Sequence, residues 1–141
     1  MRPVTILRDW LKRFFSEVPL GKRGERAAAR YLKRRGYKIL ARGDRLTSGE
    51  LDLVALDGRT IVFVEVKTRR TAEAGHPVEA VDPAKERRLT RVAVTFLKRH
   101  GLLEHSARFD VVAVTWPEGK RPTIEHFQNA FDAVGENGFY S

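Results

Sequence analysis

Gly49-Glu50-Leu51-Asp52-Leu53-Val54-Ala55-Leu56-Asp57-Gly58-Arg59-Thr60-Ile61-Val62-Phe63-Val64-Glu65-Val66-Lys67 reads as two apolar strands, 50–56 and 61–67, joined by a turn into a hairpin. Side chains alternate along a strand. In the first, Leu51, Leu53 and Ala55 share one face, and Glu50, Asp52, Val54 and Leu56 the other. In the second, Val62, Val64 and Val66 share one face, and Ile61, Phe63, Glu65 and Lys67 the other. A four-residue turn over 57–60 pairs Leu56 with Ile61 and Asp52 with Glu65. A two-residue turn over 57–58 pairs Asp52 with Phe63 instead. Both registers keep Asp52, Glu65 and Lys67 on one face.

Strands this apolar are usually buried, yet acids recur on one face. Opposed side chains stand about 5 Å apart, so two carboxylates there repel unless something neutralises them. Such a pair is a natural site for a hard cation. Mg²⁺ takes one or two carboxylates and keeps room for water and a phosphate oxygen. A lysine two residues from the acid adds a point charge. These are the parts required for phosphodiester hydrolysis. The bland alternative is a structural salt bridge on an amphipathic strand, and the metal site is the favoured reading.

Outward from the hairpin, residues 22–35 have helical spacing, with Ala27, Ala28, Tyr31 and Leu32 inward and Gly36 as the stop. Residues 37–41 read as a short strand, 43–48 as a loop and 69–77 as a mobile loop. Asp82-Pro83 opens a further helix, with Asp82 as N-cap and Leu89, Val92, Ala93, Phe96 and Leu97 inward. Residues 109–116 and 123–127 read as strands. Residues 4–18 carry an apolar helical stripe that Pro19 and Gly21 break. Three readings fit it: packing on the domain or on a second copy, the membrane surface, or a nucleic-acid groove, favoured in that order. The whole is an α/β layer structure divided into an N-terminal amphipathic extension (1–20), one domain (21–134) and a tail (135–141).

The 141 residues suit one domain, and the net charge of +9 is unevenly spread. Residues 1–45 hold 14 basic and 4 acidic side chains, and the remainder is close to neutral. A one-sided basic surface favours a polyanion, nucleic acid before membrane. The absence of cysteine excludes disulfides, thiol catalysis and cysteine-ligated zinc. No nucleophile elbow and no phosphate-binding Gly-rich loop occurs. His76, His100, His105 and His126 have no metal-ligand spacing. Asp110, in an apolar strand, reads as structural, pairing with Arg108 or a helix lysine. Apolar runs such as 61–64 are far too short to span a membrane, and charges at Arg8, Asp9, Lys12 and Arg13 interrupt any signal-peptide pattern, so the expected location is cytoplasmic.

Asp52 followed by Glu65-Val66-Lys67 on the next strand resembles the D…(D/E)-x-K signature of the PD-(D/E)XK nuclease superfamily. Gly24-Glu25, Gly36-Tyr37, Gly49 to Leu53, residues 62–69, Lys85-x-x-Arg88, Phe109-Asp110-Val111 and Asn129-Ala130-Phe131 resemble the YraN-like family of bacterial endonuclease-like proteins, related to archaeal Holliday-junction resolvases. The resemblance spans roughly residues 21–131. Leu51 stands where the superfamily's nominal proline would be, which removes no ligand. The resemblance implies a restriction-endonuclease-like core, a mixed sheet flanked by helices. It implies Asp52, Glu65 and the Val66 carbonyl as metal ligands, Lys67 as the catalytic lysine, and Glu25 as a supporting carboxylate. Without the resemblance, Glu25 is an ordinary acid in the first turn of a helix. It also implies that Lys85 contacts substrate phosphate, although a solvated helix face explains Lys85 and Arg88 equally well.

The sequence reading is therefore a Mg²⁺- or Mn²⁺-dependent endonuclease acting on DNA, including branched or repair-type structures. Arg34, Arg35, Lys38, Arg69, Lys85 and Arg88 are its expected phosphate contacts, and a homodimer is expected if both strands are cut. The alternatives are a catalytically silent nucleic-acid-binding or repair-partner module and, least favoured, a membrane contact through residues 1–20.

Overall fold

Residues 18–43 and 51–133 are described in a computed structural model of the chain. The helix expected over 4–18, most of the loop over 43–48 and the tail over 135–141 lie outside the described residues. Helix α1 (Leu20–Arg34) precedes strands β1 (Lys38–Arg42), β2 (Leu53–Asp57) and β3 (Thr60–Arg69). Two short 3-10 turns, Ala72–Ala74 and Pro77–Ala80, lead to helix α2 (Pro83–Arg99), which is followed by β4 (Ala107–Thr115) and β5 (Thr123–Phe131). The sheet runs β1-β2-β3-β4-β5; β3 and β4 are parallel and the other neighbours antiparallel. This is the expected α/β arrangement, a mixed sheet flanked by helices and consistent with a restriction-endonuclease-like core.

The helix ends follow local chemistry. Asp82 Oδ1 accepts the Lys85 amide at 2.8 Å, and Pro83 occupies the first helical position, where its missing N–H costs nothing. At the end of α1, Gly36 takes φ +91°, and the Tyr37 amide reaches back to the Leu32 carbonyl at 3.0 Å. That pair of features closes the helix with the left-handed turn glycine adopts without strain. Gly21, expected to break the chain before this helix, instead lies in its first turn, and Pro19 is the residue that starts it.

Each face of the sheet has its own core. Ala27, Ala28, Ala29 and Leu32 of α1 pack with Leu53, Ala55, Val62, Val64, Val112 and Val114. Leu89, Ala93 and Leu97 of α2 pack with Val54, Ile61, Phe63, Phe109 and Val111 on the opposite face. The alternation expected for residues 50–56 fails at one place. Leu51 belongs to the α2-side cluster with Val54, not to the side of Leu53 and Ala55. The regular strand begins only at Leu53, so the residues just before it need not follow its pleat.

Further differences from expectation have clear causes. β5 runs to Phe131 rather than ending at 127, because a register shift lets it continue. There Asn129 adopts φ +50° and donates its amide to Asp110 Oδ1 at 2.9 Å. The stretch over 69–77 is braced: Arg69 belongs to β3 and donates to the Gly75 carbonyl at 2.5 Å. Asp110 is structural as expected and does pair with Arg108, at 3.0 Å, but its second oxygen meets His126 Nε2 at 2.7 Å. Arg108 also holds Asp57 and the Tyr37 hydroxyl, tying β4 to the hairpin turn and to the end of α1.

Small residues bring α1 close to β3. A Cβ on Gly24 would lie 1.8 Å from Thr68 Oγ1 and 2.8 Å from Thr68 Cβ. Gly24→Ala should therefore lower stability by about 1–3 kcal/mol despite alanine's better helix propensity. A thermal melt should show a Tm lower by several degrees; a Tm at or above wild type would mean that the close approach at Thr68 is not maintained.

Candidate active site

The hairpin adopts the four-residue-turn register. Leu56 faces Ile61 and Leu53 faces Val64, and Asp52, just beyond the last paired residue, lies close enough to Glu65 for their charges to interact. Asp52 lies just before β2, and its Oδ2 accepts the Val66 amide at 2.7 Å. In an extended strand the N–H and C=O of one residue point to the same side. The Val66 carbonyl therefore opens toward the edge where Asp52 lies, as a third oxygen beside the two acids.

Glu65 is the group most in need of a partner. It is 7% exposed, at the centre of a strand whose neighbours are apolar. Its Oε1 accepts from Lys85 Nζ at 2.6 Å, whereas Oε2 is buried with no hydrogen-bond partner among the described residues. Leaving a buried acceptor unmet costs about 1–3 kcal/mol, and more when it is charged. Asp52 bears the strain of the same crowding. Burial, and after it the charge of Glu65, pushes its carboxyl up to about 8, against the Val66 N–H, which favours the ionised form. Glu25 of α1 adds to the rise by its charge and by a side-chain hydrogen bond to Asp52. With its value at about 8, Asp52 is largely protonated at neutral pH.

The sequence-expected residues divide into two sets. Asp52, Glu65, Val66 and Glu25 converge, and Lys67, exposed, follows two residues after Glu65 on the same strand face. Among the described residues no three His, Asp or Glu side chains close around one point, so the carboxylates form a chain, not a cage. Two acids and a carbonyl fit Mg²⁺, which keeps most of its shell as water. Of the expected phosphate contacts, Lys85 is held by Glu65 and Arg69 by Thr115 and Gly75. Arg88 is exposed on α2. Arg34, Arg35 and Lys38 are exposed toward the other end of the sheet from Asp52: Lys38 pairs with Leu56, beside the hairpin turn, and Arg35 covers the Tyr31 ring.

Sequence reasoning passed over a better-placed set. Lys22, Arg26, Arg30 and Arg42 line an open cleft of about 410 Å³ together with Glu25 and Leu53. Arg42 pairs with Leu53, at the Asp52 end of the sheet. The signal was present in the four-residue spacing of Lys22, Arg26 and Arg30, but where that row would point depended on how β1 packs beside α1.

Residues 24–114 match a family described as "Uncharacterised protein family UPF0102". The chain belongs to that family. A UPF0102 protein of Rhodopirellula baltica is 48% identical over 143 aligned residues, covering 95% of this chain and 86% of its own length. One from Geobacter sulfurreducens is 52% identical over 113 residues, covering 80% and 88%, and one from Anaeromyxobacter dehalogenans 47% identical over 121 residues, covering 86% and 90%. UPF0102 is thereby the YraN-like family that the motifs resembled. Glu25, Asp52, Glu65, Val66, Lys67 and Lys85 all fall within the matched span. Among the described residues no helix is long and apolar enough to cross a membrane.

Because folding raises the Asp52 value, the native state holds a proton that the unfolded chain releases above about pH 4. Stability should thus fall as pH rises from about 4 to about 8 and level off above. Asp110 acts in the opposite sense. Burial raises its value, but bonds from His126, Arg108 and the Asn129 amide outweigh it and lower the net value. Its contribution is lost only as strong acid protonates it. In metal-free thermal melts, wild type should lose several degrees of Tm between mildly acidic and alkaline pH, and Asp52→Asn should remove most of that slope. An equal slope in the variant would mean that Asp52 does not carry the proton.

Proposed function

We propose that this UPF0102 protein is a divalent-metal-dependent endonuclease of the PD-(D/E)XK type, hydrolysing phosphodiester bonds in DNA. The observation that carries the reading is the buried, unpartnered Glu65 Oε2, with Asp52 close enough for the two carboxyl groups to interact. A bare buried carboxylate oxygen beside a second acid is a persistent cost to the fold, and a cation held by both removes it. Asp52, Glu65 and the Val66 carbonyl would hold Mg²⁺ or Mn²⁺, which supplies positive charge to polarise the phosphate and acidify the attacking water. Lys67, exposed beside the pair, is placed to hold that water or the developing negative charge. Glu25 lies beside Asp52 and orients it. Lys85, on Glu65 Oε1, balances the remaining charge and fixes that carboxylate's rotamer.

One observation favours a second reading, a silent nucleic-acid-binding module: the Lys85–Glu65 ion pair is already a partial neutralisation that needs no metal. Single-turnover cleavage of labelled duplex, flap, single-stranded and four-way DNA in Mg²⁺ or Mn²⁺ separates the two. Asp52→Asn and Glu65→Gln should each slow cutting by a thousandfold or more, equivalent to about 4 kcal/mol of transition-state stabilisation. In chelator at neutral pH Glu65→Gln should bind DNA as well as or better than wild type, since it removes a negative charge, and Asp52→Asn should bind about as well as wild type, since Asp52 is largely protonated without metal. Lys67→Met should abolish cutting while retaining the metal. DNA binding without metal-dependent cutting of any substrate would select the silent module.

A further inference from the structure

The cleft between α1 and the β1 edge has features that an acid site alone does not require. Four cations, Lys22, Arg26, Arg30 and Arg42, face one carboxylate, Glu25, which is already engaged with Asp52. No side chain of the four is ion-paired or hydrogen-bonded to a described residue. Lys22, Arg26 and Arg30 recur every fourth residue along α1, so each lies about 6 Å further along the helix axis than the one before. Like charges at that spacing repel one another, by about 0.2–0.5 kcal/mol per pair. A row of repelling cations in a concave surface is an arrangement that a chain of anions stabilises. Its regular step suits successive phosphates of a single strand. Leu53, buried in the core beneath, closes the cleft floor.

We infer that this cleft binds the backbone of single-stranded nucleic acid and makes the protein select substrates with an unpaired arm. The size supports the choice of a single strand. A volume of about 410 Å³ falls in the range of pockets that take one small ligand, which suits the nucleotide units of a single strand. The position supports it as well. Glu25 forms part of the cleft wall and also bonds Asp52, so a strand lying over Arg26 and Arg30 continues directly to the acids. The link to cutting rests on the nuclease reading, whereas the binding itself does not.

The test is fluorescence anisotropy in chelator with the full chain, using labelled oligo(dT), oligo(U) and a blunt duplex of equal length, with phosphatidylglycerol vesicles as a parallel arm. Single strands should bind more tightly than duplex. Arg26→Glu/Arg30→Glu should weaken single-strand binding by about tenfold or more and flatten its salt dependence. The same charge change in Arg34→Glu/Arg35→Glu should cost no more than about threefold. Arg26→Gln/Arg30→Gln, milder toward folding, should give an intermediate loss, and thermal melts confirm that each variant folds. The dT and U arms report whether DNA, RNA or both are accepted. Equal losses in the two charge-reversed pairs, preference for blunt duplex, or binding to vesicles alone would overturn the inference. If the cleft binds as described and nothing is cut, the nuclease reading fails by itself. If DNA is cut in a metal-dependent way and the Arg26/Arg30 variants bind normally, the cleft assignment fails by itself.

Discussion

Two carboxylates held opposite each other across an apolar hairpin are the constraint on which this structure turns. Asp52 and Glu65 are brought together by the same register that buries Val54, Ala55, Val62 and Phe63 on the two faces of the sheet. A slip of one residue would turn every one of those side chains to the wrong face, so the core enforces the meeting of the acids. The apolar burial outweighs the repulsion it creates. Fully burying a side chain such as Phe63 contributes about 1.5–3 kcal/mol, and several such residues lie in each strand.

The rest of the molecule responds to that charge. α2 delivers Lys85 to one oxygen of Glu65, and α1 delivers Glu25 to Asp52. The approach of α1 depends on Gly24, whose missing side chain lets the helix lie against Thr68, one residue beyond Lys67. The neutralisation is nonetheless incomplete, because Glu65 Oε2 remains bare and Asp52 holds a proton well above its ordinary range. The second polar cluster shows what completion looks like. Asp110 is fully buried, yet Arg108, His126 and the Asn129 amide satisfy both its oxygens, and its value is lowered. One fold thus contains a fully satisfied carboxylate and a pair in which one buried oxygen stays bare.

Much of this was legible in the residues. Period-two alternation gave the hairpin, and Asp82-Pro83 and Gly36 gave helix boundaries, because each rests on local geometry. The pairing of Asp52 with Glu65 was one of two registers, and choosing between them took the observed turn. What depended on packing between distant segments was not legible. The ion pair of Lys85 with Glu65 spans 20 residues, and the bond between Arg108 and Tyr37 spans 71. Nor could the string of residues show that Arg34, Arg35 and Lys38 sit by the hairpin turn while Arg42 approaches the acids. That follows from the antiparallel direction of β1 against β2, which places the two ends of a five-residue strand on opposite sides of the sheet.

The central claim is that the Asp52–Glu65 pair is a cation site, and calorimetric titration of the metal-free protein with Mn²⁺ at neutral pH, in two buffers of different ionisation heat, tests it most directly. The account predicts saturable binding of one ion, with release of about one proton as Asp52 ionises, and loss of that binding in Asp52→Asn and Glu65→Gln. No saturable binding in wild type, or binding that survives both substitutions, would contradict it.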